Sequence, residues 1–243
     1  MMNSHKKYSK ISFDDLIVKN LDHYTIVNKP PFISSLEDKN DRTHLLDLAR
    51  KTDPNYQLCH RLDKETSGVI VLAKTPEAYR NFAMQLEKRE VKKVYHAVIH
   101  GRHQFHDFEA IEPLVTTSNR SRVDFKLGKP SLTLISTIEI FKKSTLIKCF
   151  PLTGRMHQIR VHLSYHEAPL VGDSAYGGQD LFLADHKRNF NIGKYEERRP
   201  MIHRVALHAN NLAFKDLKGD VVEVEAPYPK DFSVLVKQLK KYN

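Results

Sequence analysis

Residues 68–73 read GVIVLA, an unbroken apolar run that follows the polar stretch HRLDKETS at 60–67. A run of this length and β-branching makes a buried strand, so the rest of the chain has to supply layers that cover it. It has the material, because 243 residues with 40% hydrophobic content suffice for one large domain or two small ones. HYTIVNKP (23–30) alternates into a short strand that Pro30 and Pro31 must end, since proline brings no amide hydrogen to a ladder. THLLDLARK (43–51) spaces its leucines for one helical face. PEAYRNFAMQLEKRE predicts a second helix with Pro76 in its first turn.

KVYHAVIHG (93–101), SLTLISTIEIF (131–141) and STLIKCFPL (144–152) read as further strands, and the short Lys142-Lys143 connection predicts an antiparallel pair. GRMHQIRVHLSYHE (154–167) changes to a helical period, with Thr153 as its expected N-cap. VALHANNLAF (205–214) and VVEVEAP (221–227) return to strand, and DFSVLVKQLKKY closes as a basic amphipathic helix. Strands outnumber helices, and hairpins mix with helical connections. The pattern predicts an α+β fold with a mixed, mostly antiparallel central sheet flanked by helices. Residues 1–22 are expected to form a loose basic arm, residues 23–243 a single domain, and the polar stretch from Asp185 to Arg204 a long surface loop.

No stretch approaches the roughly 18–20 consecutive apolar residues of a membrane-spanning helix, and MMNSHKKYSK lacks a secretory apolar segment. The expected location is the cytoplasm, without a membrane partner. Cys59 and Cys149 match no zinc or redox spacing and are expected as buried thiols. A net charge of +10 attracts polyanions, which makes nucleic acid the default partner.

Three residues stand out within this frame. Met156, Ile159 and Leu163 form one apolar stripe of the helix predicted at 154–167, and Arg160 lies four residues after Met156 on that stripe. Either Arg160 points inward and needs a carboxylate partner, or its head snorkels from the stripe's edge to water. Asp63 is the best candidate partner. It either ties its own turn as an Asx-type residue or is held ionised by Arg160, a state that suits a nucleophile. Tyr95 is either a core aromatic or a stacking platform for a base. The pairs His157/His162 and His203/His208 invite a metal reading, but their spacing turns the members apart on a helix, and no HExxH or Cys/His set occurs. No Gly-rich phosphate loop is present, which argues against the use of ATP or NAD.

HRLDKETSGVIVLAK, KKVYHAVIHG, LTGRMHQIRVHL and PLVGDSAYGG, in that order, resemble the motifs of the RluA-type family of RNA pseudouridine synthases. VNKPP before them and ALHANNLAF after extend the likeness from about Tyr24 to Phe232. The resemblance implies isomerisation of selected uridines in ribosomal or transfer RNA, with no cofactor or metal. It implies Asp63 as the catalytic carboxylate, Arg160 as its pairing arginine and Tyr95 as the residue packing on the target base. Arg61 corresponds to the arginine that fills the gap left by the flipped uridine, and Arg155, His157 and Gln158 are expected to contact RNA.

Two positions depart from the commonest pattern. Met156 stands where a small hydroxyl residue is usual, and Glu65 where aspartate is frequent. About 22 residues precede the region of resemblance, too few for the S4-type RNA-binding domain of many members. RNA selection is therefore expected from the basic stretches 116–129 and 185–199, in a protein acting as a monomer. Two other readings remain at this level: an RNA-binding protein of the same fold without catalysis, and a glycosidic hydrolase. The hydrolase would want two carboxylates, and Asp173 reads equally well as a turn residue.

Overall fold

In the computed structural model, which describes residues 11–37, 43–185 and 199–243, the chain forms the following strands and helices in order. They are β1 (Ile17–Asn20), β2 (Tyr24–Lys29), α1 (Leu45–Arg50), β3 (Gln57–Leu58), β4 (Ser67–Ala73), α2 (Pro76–Glu87) and β5 (Lys92–His100). There follow β6 (Phe108–Ala110), β7 (Leu114–Thr116), β8 (Ser121–Val123), β9 (Thr133–Ile140), β10 (Ser144–Pro151) and α3 (Gln158–Tyr165). The chain ends with β11 (Leu207–Lys215), β12 (Val221–Glu225) and α4 (Lys230–Lys241). The α+β architecture and the antiparallel ladders match the sequence pattern. Expected as a single domain beyond residue 22, the chain divides into two compact units interleaved in sequence. One runs to Lys93 and resumes over Ala209–Pro227; the other comprises Val94–His208 and Tyr228–Asn243.

In the first unit β2 lies antiparallel between β1 and β4, with Ile26 opposite Val71. Every residue of β4 is buried, as its unbroken apolar run requires. Alternate residues Val69 and Val71 join Tyr24, Ile26, Phe82 and Phe214 in one core. α2 begins where proline directs it, with Pro76 in its first turn and the Thr75 hydroxyl accepting from the Ala78 amide at 3.2 Å. Residues 13–20 were expected in a loose arm and are folded instead. Phe13 and Leu16 are buried, Phe13 packs on Tyr56 with centroids 5.4 Å apart, and β1 pairs with β2. A four-residue strand is too short to show a period, so sequence alone could not mark it.

The second unit carries the strand order β5-β10-β9-β6, and the Lys142-Lys143 connection does join an antiparallel hairpin of β9 and β10. Alternation along β5 and β10 sorts their side chains onto two faces. Ala97, Ile99 and Ile147 pack with Ile159 and Leu163 of α3. Val98 and Leu146 pack with Phe232, Leu235 and Leu239 of α4. Each fully buried side chain of this size contributes about 2 kcal/mol, so the two helices are bound to this sheet by apolar burial.

Of the surface loop expected from Asp185 to Arg204, residues 186–198 lie outside the described residues. Its last residues are built into the core: Ile202 and Arg204 are buried. Arg204 is inside because Asp231, in the first turn of α4, takes its Nε and Nη2 at 2.7 and 3.0 Å, while Nη1 donates to the carbonyls of Val205 and Leu207. Cys59 and Cys149 are free, buried thiols in different units. Burial pushes Cys59 up to about 12 and Cys149 higher still, so neither is a reactive thiolate.

Candidate active site

The turn that carries Asp63 closes through main-chain atoms, the Thr66 amide donating to the Asp63 carbonyl at 3.0 Å. A second loop, just beyond β2, clamps it. The Phe32 amide donates to the Lys64 carbonyl at 2.8 Å, and Lys29 Nζ reaches the same oxygen at 3.2 Å. Lys29 is fully buried and also donates to the carbonyls of Ile33 at 2.9 Å and Pro30 at 3.0 Å. Ser35 Oγ donates to the Leu62 carbonyl at 2.8 Å and accepts from the Leu62 amide at 3.0 Å. The backbone on either side of Asp63 is thereby held from one direction, while the Asp63 side chain stays half-buried. Behind the turn, Gly68 takes φ of +121°, and a Cβ there would overlap the Ala209 carbonyl, so only glycine fits.

His60 anchors the other end of this segment. Its Nε2 accepts from the Val71 amide at 3.2 Å, and its ring stacks on Phe82 with centroids 5.8 Å apart. Burial, and then the nearby Lys93 charge, hold its pKa down to about 3. The neutral ring is the form that can accept this bond.

In the second unit, Arg160 on α3 has a carboxylate partner inside the fold, the first of the two readings left open by its sequence. That partner is Asp173, which receives Nε and Nη2 at 2.7 Å each in a bidentate pair. Asp173 also does the turn work read from sequence, its carbonyl accepting from the amides of Tyr176 at 3.0 Å and Gly178 at 2.8 Å. The guanidinium lies 4.9 Å from the centroid of Tyr176, a cation–π contact. The Tyr176 hydroxyl accepts from the Ser121 amide at 3.0 Å and shares a 2.8 Å hydrogen bond with His157 Nδ1. Burial raises the pKa of this phenol, so it stays protonated. Neither Asp173 nor Tyr176 was singled out as a partner of Arg160, because nothing local in the sequence marks a pair set 13 residues apart.

The helix begins at Gln158 instead of Gly154, and Thr153 is not its cap. The reason is the Gln158 side chain, which is buried. Its Oε1 accepts from Thr153 Oγ1 at 2.7 Å and the Arg155 amide at 3.0 Å, and its Nε2 donates to the Leu132 carbonyl and Thr133 Oγ1. That folds 153–157 into a loop, and His157 adopts φ of 55°, which a continuing helix does not allow. Met156 therefore lies off the helix. All four hydrogen-bonding positions of the Gln158 amide are used internally, which leaves none over for RNA. Arg155 is exposed at the loop's surface, and His157 is half-buried against Tyr176.

Tyr95 is half-buried in β5 opposite Cys149 and packs against the cluster that holds Ile159 and Leu163 of α3. Tyr95 and the helix of Arg160 thus share one core. Arg61 is exposed, and it and Asp63 belong to the first unit, while Tyr95, Arg155, His157 and Arg160 belong to the second. The histidine pairs are engaged otherwise. His162 is held by Ser131, Thr133 and the Glu112 carbonyl, with burial lowering its pKa, and His208 packs edge-on to Tyr228. Among the described residues no group of three or more His, Cys, Asp or Glu is placed to hold a metal ion, and no helix is long and apolar enough to cross a membrane.

Comparison with known proteins bears on what these side chains serve. A family model described as RNA pseudouridylate synthase matches residues 23–165. Ribosomal large subunit pseudouridine synthase C of Buchnera aphidicola is 33% identical over 240 residues, covering 94% of this chain and 72% of that protein. Ribosomal large subunit pseudouridine synthase D of Vibrio parahaemolyticus is 35% identical over 204 residues, covering 82% of this chain and 59% of that one. Among solved structures, human RNA Pseudouridylate Synthase Domain Containing 1 superposes with a TM-score of 0.68 at 27% identity, covering 88% of this chain and 83% of its own. A second human protein, RNA Pseudouridylate Synthase Domain Containing 4, shares the fold with a TM-score of 0.70 at 22% identity, covering 94% and 95%. The clamped aspartate turn, the buried arginine and the strand tyrosine all fall inside the matched segment, and the chain belongs to the RNA pseudouridylate synthase family, whose reaction is the isomerisation of uridine in RNA.

Proposed function

We propose that this chain converts specific uridines of structured RNA to pseudouridine with Asp63 as the catalytic carboxylate. Ribosomal RNA is the favoured substrate over transfer RNA, because the relatives above are named for the large ribosomal subunit. The uridine is flipped from its stack, as any base buried in a stack must be before chemistry reaches it. Arg61 fills the gap, and Tyr95 packs on the extruded base. Asp63 meets the sugar carbon from which the base departs. The N1–C1′ bond breaks, the base turns, a C5–C1′ bond forms, N1 gains a proton and the C5 proton leaves to solvent. Product and substrate are isomers, so the net reaction consumes no electrons and no transferred group, and no cofactor enters this reading. Arg160 is the arginine that serves Asp63, its guanidinium oriented by Asp173. Arg155 and His157 contact the RNA, while Gln158 serves through the loop it organises. A ribosomal substrate places the protein in the cytoplasm, where it acts as a monomer.

The observation that carries this reading is the Asp63 turn, whose backbone is gripped by Lys29, Phe32 and Ser35. Such a grip fixes a side chain in one place, and reactive groups gain from fixed placement. The test is incubation with transcribed ribosomal RNA carrying tritium at uridine C5, following tritium release and free uracil. Wild type is expected to release tritium without uracil; free uracil would make the protein a glycosidic hydrolase. Asp63→Ala should lower the rate by at least about 10³-fold, as loss of a covalent or electrostatic participant does. Its RNA affinity should stay within about tenfold of wild type, because phosphate contacts dominate binding. Turnover retained in Asp63→Ala would refute the assignment.

A further inference from the structure

The segment TTSNRSRVDFKLGK, expected as a basic loop that takes part in RNA selection, is the β7–β8 hairpin followed by a tight turn. Asp124 builds that turn. Its Oδ1 accepts from the amides of Lys126 at 3.0 Å and Leu127 at 2.9 Å, and its carbonyl accepts from the Gly128 amide at 2.8 Å. Those amides, with Arg122 at 2.8 Å from the carboxylate, keep Asp124 ionised. A turn so fully bonded is rigid, yet it holds Phe125 69% exposed and Leu127 74% exposed. Two large apolar side chains mounted outward in this way add little to the fold, since most of each stays in water.

Phe125 borders a groove of about 610 Å³. Its far wall is α3, where Tyr165 is 50% exposed with its ring centroid 6.5 Å from that of Phe125. Tyr176, the ring that carries Arg160, lines it as well. Arg122 and Lys126 line the same groove, and Arg120 sits 5.9 Å from the Tyr176 centroid. Across 116–129 the charges are Arg120, Arg122, Lys126 and Lys129 against Asp124 alone. Open aromatic faces with a cationic rim suit a chain of bases joined by phosphates, and an apolar protein partner would not call for this excess of cations.

We propose that this groove takes an unpaired RNA segment adjacent to the target uridine, with a base stacked on Phe125 or Tyr165 and phosphates on Arg122 and Lys126. The adjacency rests on the functional reading above, through Tyr176 and Arg160; the binding itself does not. The experiment uses the full chain and a fluorescein-labelled oligouridylate of about 20 nucleotides, longer than the site sizes of single-strand binding folds. Anisotropy is titrated across a salt series, beside tritium release from transcribed ribosomal RNA. The double variant Phe125→Ala/Tyr165→Ala should bind about tenfold more weakly with an unchanged salt slope, as the loss of a stacked base predicts. Lys126→Gln should flatten the slope by about one. Thermal midpoints should stay at the wild-type value, since these side chains are exposed. Wild-type affinity and turnover in the double variant would overturn the proposal. So would unchanged RNA affinity in Phe125→Ala/Leu127→Ala together with loss of a wild-type dimer by light scattering, which would give the groove to a second copy. Weakened binding by the double variant alongside a wild type that releases no tritium would support the groove and sink the catalytic reading alone.

Discussion

The Asp63 turn and the Arg160 corner are held in opposite ways. Around Asp63 the fixing bonds run to the backbone: Lys29 donates to three carbonyls, and Ser35 both donates to and accepts from Leu62. Around Arg160 they run between side chains, from Asp173 to the guanidinium, from the guanidinium to Tyr176 and from Tyr176 to His157. A backbone clamp fixes a position whatever side chain stands there, whereas a side-chain network fixes a charge and its orientation. The first suits the mounting of a nucleophile, and the second suits the placement of a permanent cation.

The comparison breaks most visibly at Asp173. Asp173→Ala removes a bidentate partner from an arginine only 11% exposed, and breaking a buried pair from one side costs about 3 kcal/mol. Chemical denaturation should register that loss, and tritium release should fall with it because Arg160 is no longer oriented. A wild-type denaturation midpoint would mean that the corner does not depend on this pair. Lys29→Met keeps most of the volume but takes a donor from three carbonyls, of which that of Lys64 keeps the Phe32 amide, at an expected cost of about 2 kcal/mol. Here the kinetic signature should differ: kcat falls while KM holds, since the clamp positions Asp63 without touching RNA. An equal rise in KM would make Lys29 part of the binding surface.

Each unit also contains a histidine kept neutral by its surroundings, His60 in the first and His162 in the second, so acid tests them side by side. The pKa of His60 is about 3 in the folded chain and about 6.5 when unfolded. Between those values the unfolded chain binds the extra proton, so stability rises with pH across that window and is lost as pH falls from about 6.5 towards 3. The limiting slope for this one group is about 1.4 kcal/mol per pH unit. Denaturation midpoints measured from pH 7 to pH 4 should show the decline, and His60→Gln should flatten it, with the slope that remains including the His162 share. An unchanged slope in that variant would show that His60 does not titrate between the folded and unfolded states.

The two regions also differ in how far sequence exposes them. HRLDKETSG is contiguous, and its turn, its glycine and the buried strand behind it are local features with local signals. A carboxylate partner for Arg160 was one of two readings open from the helical stripe, and the identity of Asp173 was not legible at all. A pairing across a turn is decided by tertiary packing, and GDSAYG reads equally well as a turn alone. The start of α3 was hidden for a related reason. A helical period runs through GRMHQIR, and only the left-handed backbone at His157, imposed by the bonds of the Gln158 amide, breaks it. β1 and the buried Arg204 were missed because four residues carry no period and because a charged side chain reads as surface until its partner is known.

The finest test of the clamp is Ser35. Its hydroxyl bonds both polar backbone atoms of Leu62, the residue before Asp63. Ser35→Ala leaves that amide and carbonyl without this partner, at a cost of about 1 kcal/mol, much smaller than the loss at Asp173. Stability should therefore fall only modestly, whereas the Asp63 backbone gains freedom on the side that Lys29 does not hold. A catalytic role of Asp63 would depend steeply on placement, because small misalignments cost rate out of proportion to stability. Single-turnover tritium release should fall about tenfold at saturating RNA with KM unchanged, and Ser35→Thr, which restores the hydroxyl, should recover most of it. A rate that follows only the small change in stability would mean that Asp63 is positioned from its other side, and the backbone clamp would then be structural support for the fold alone.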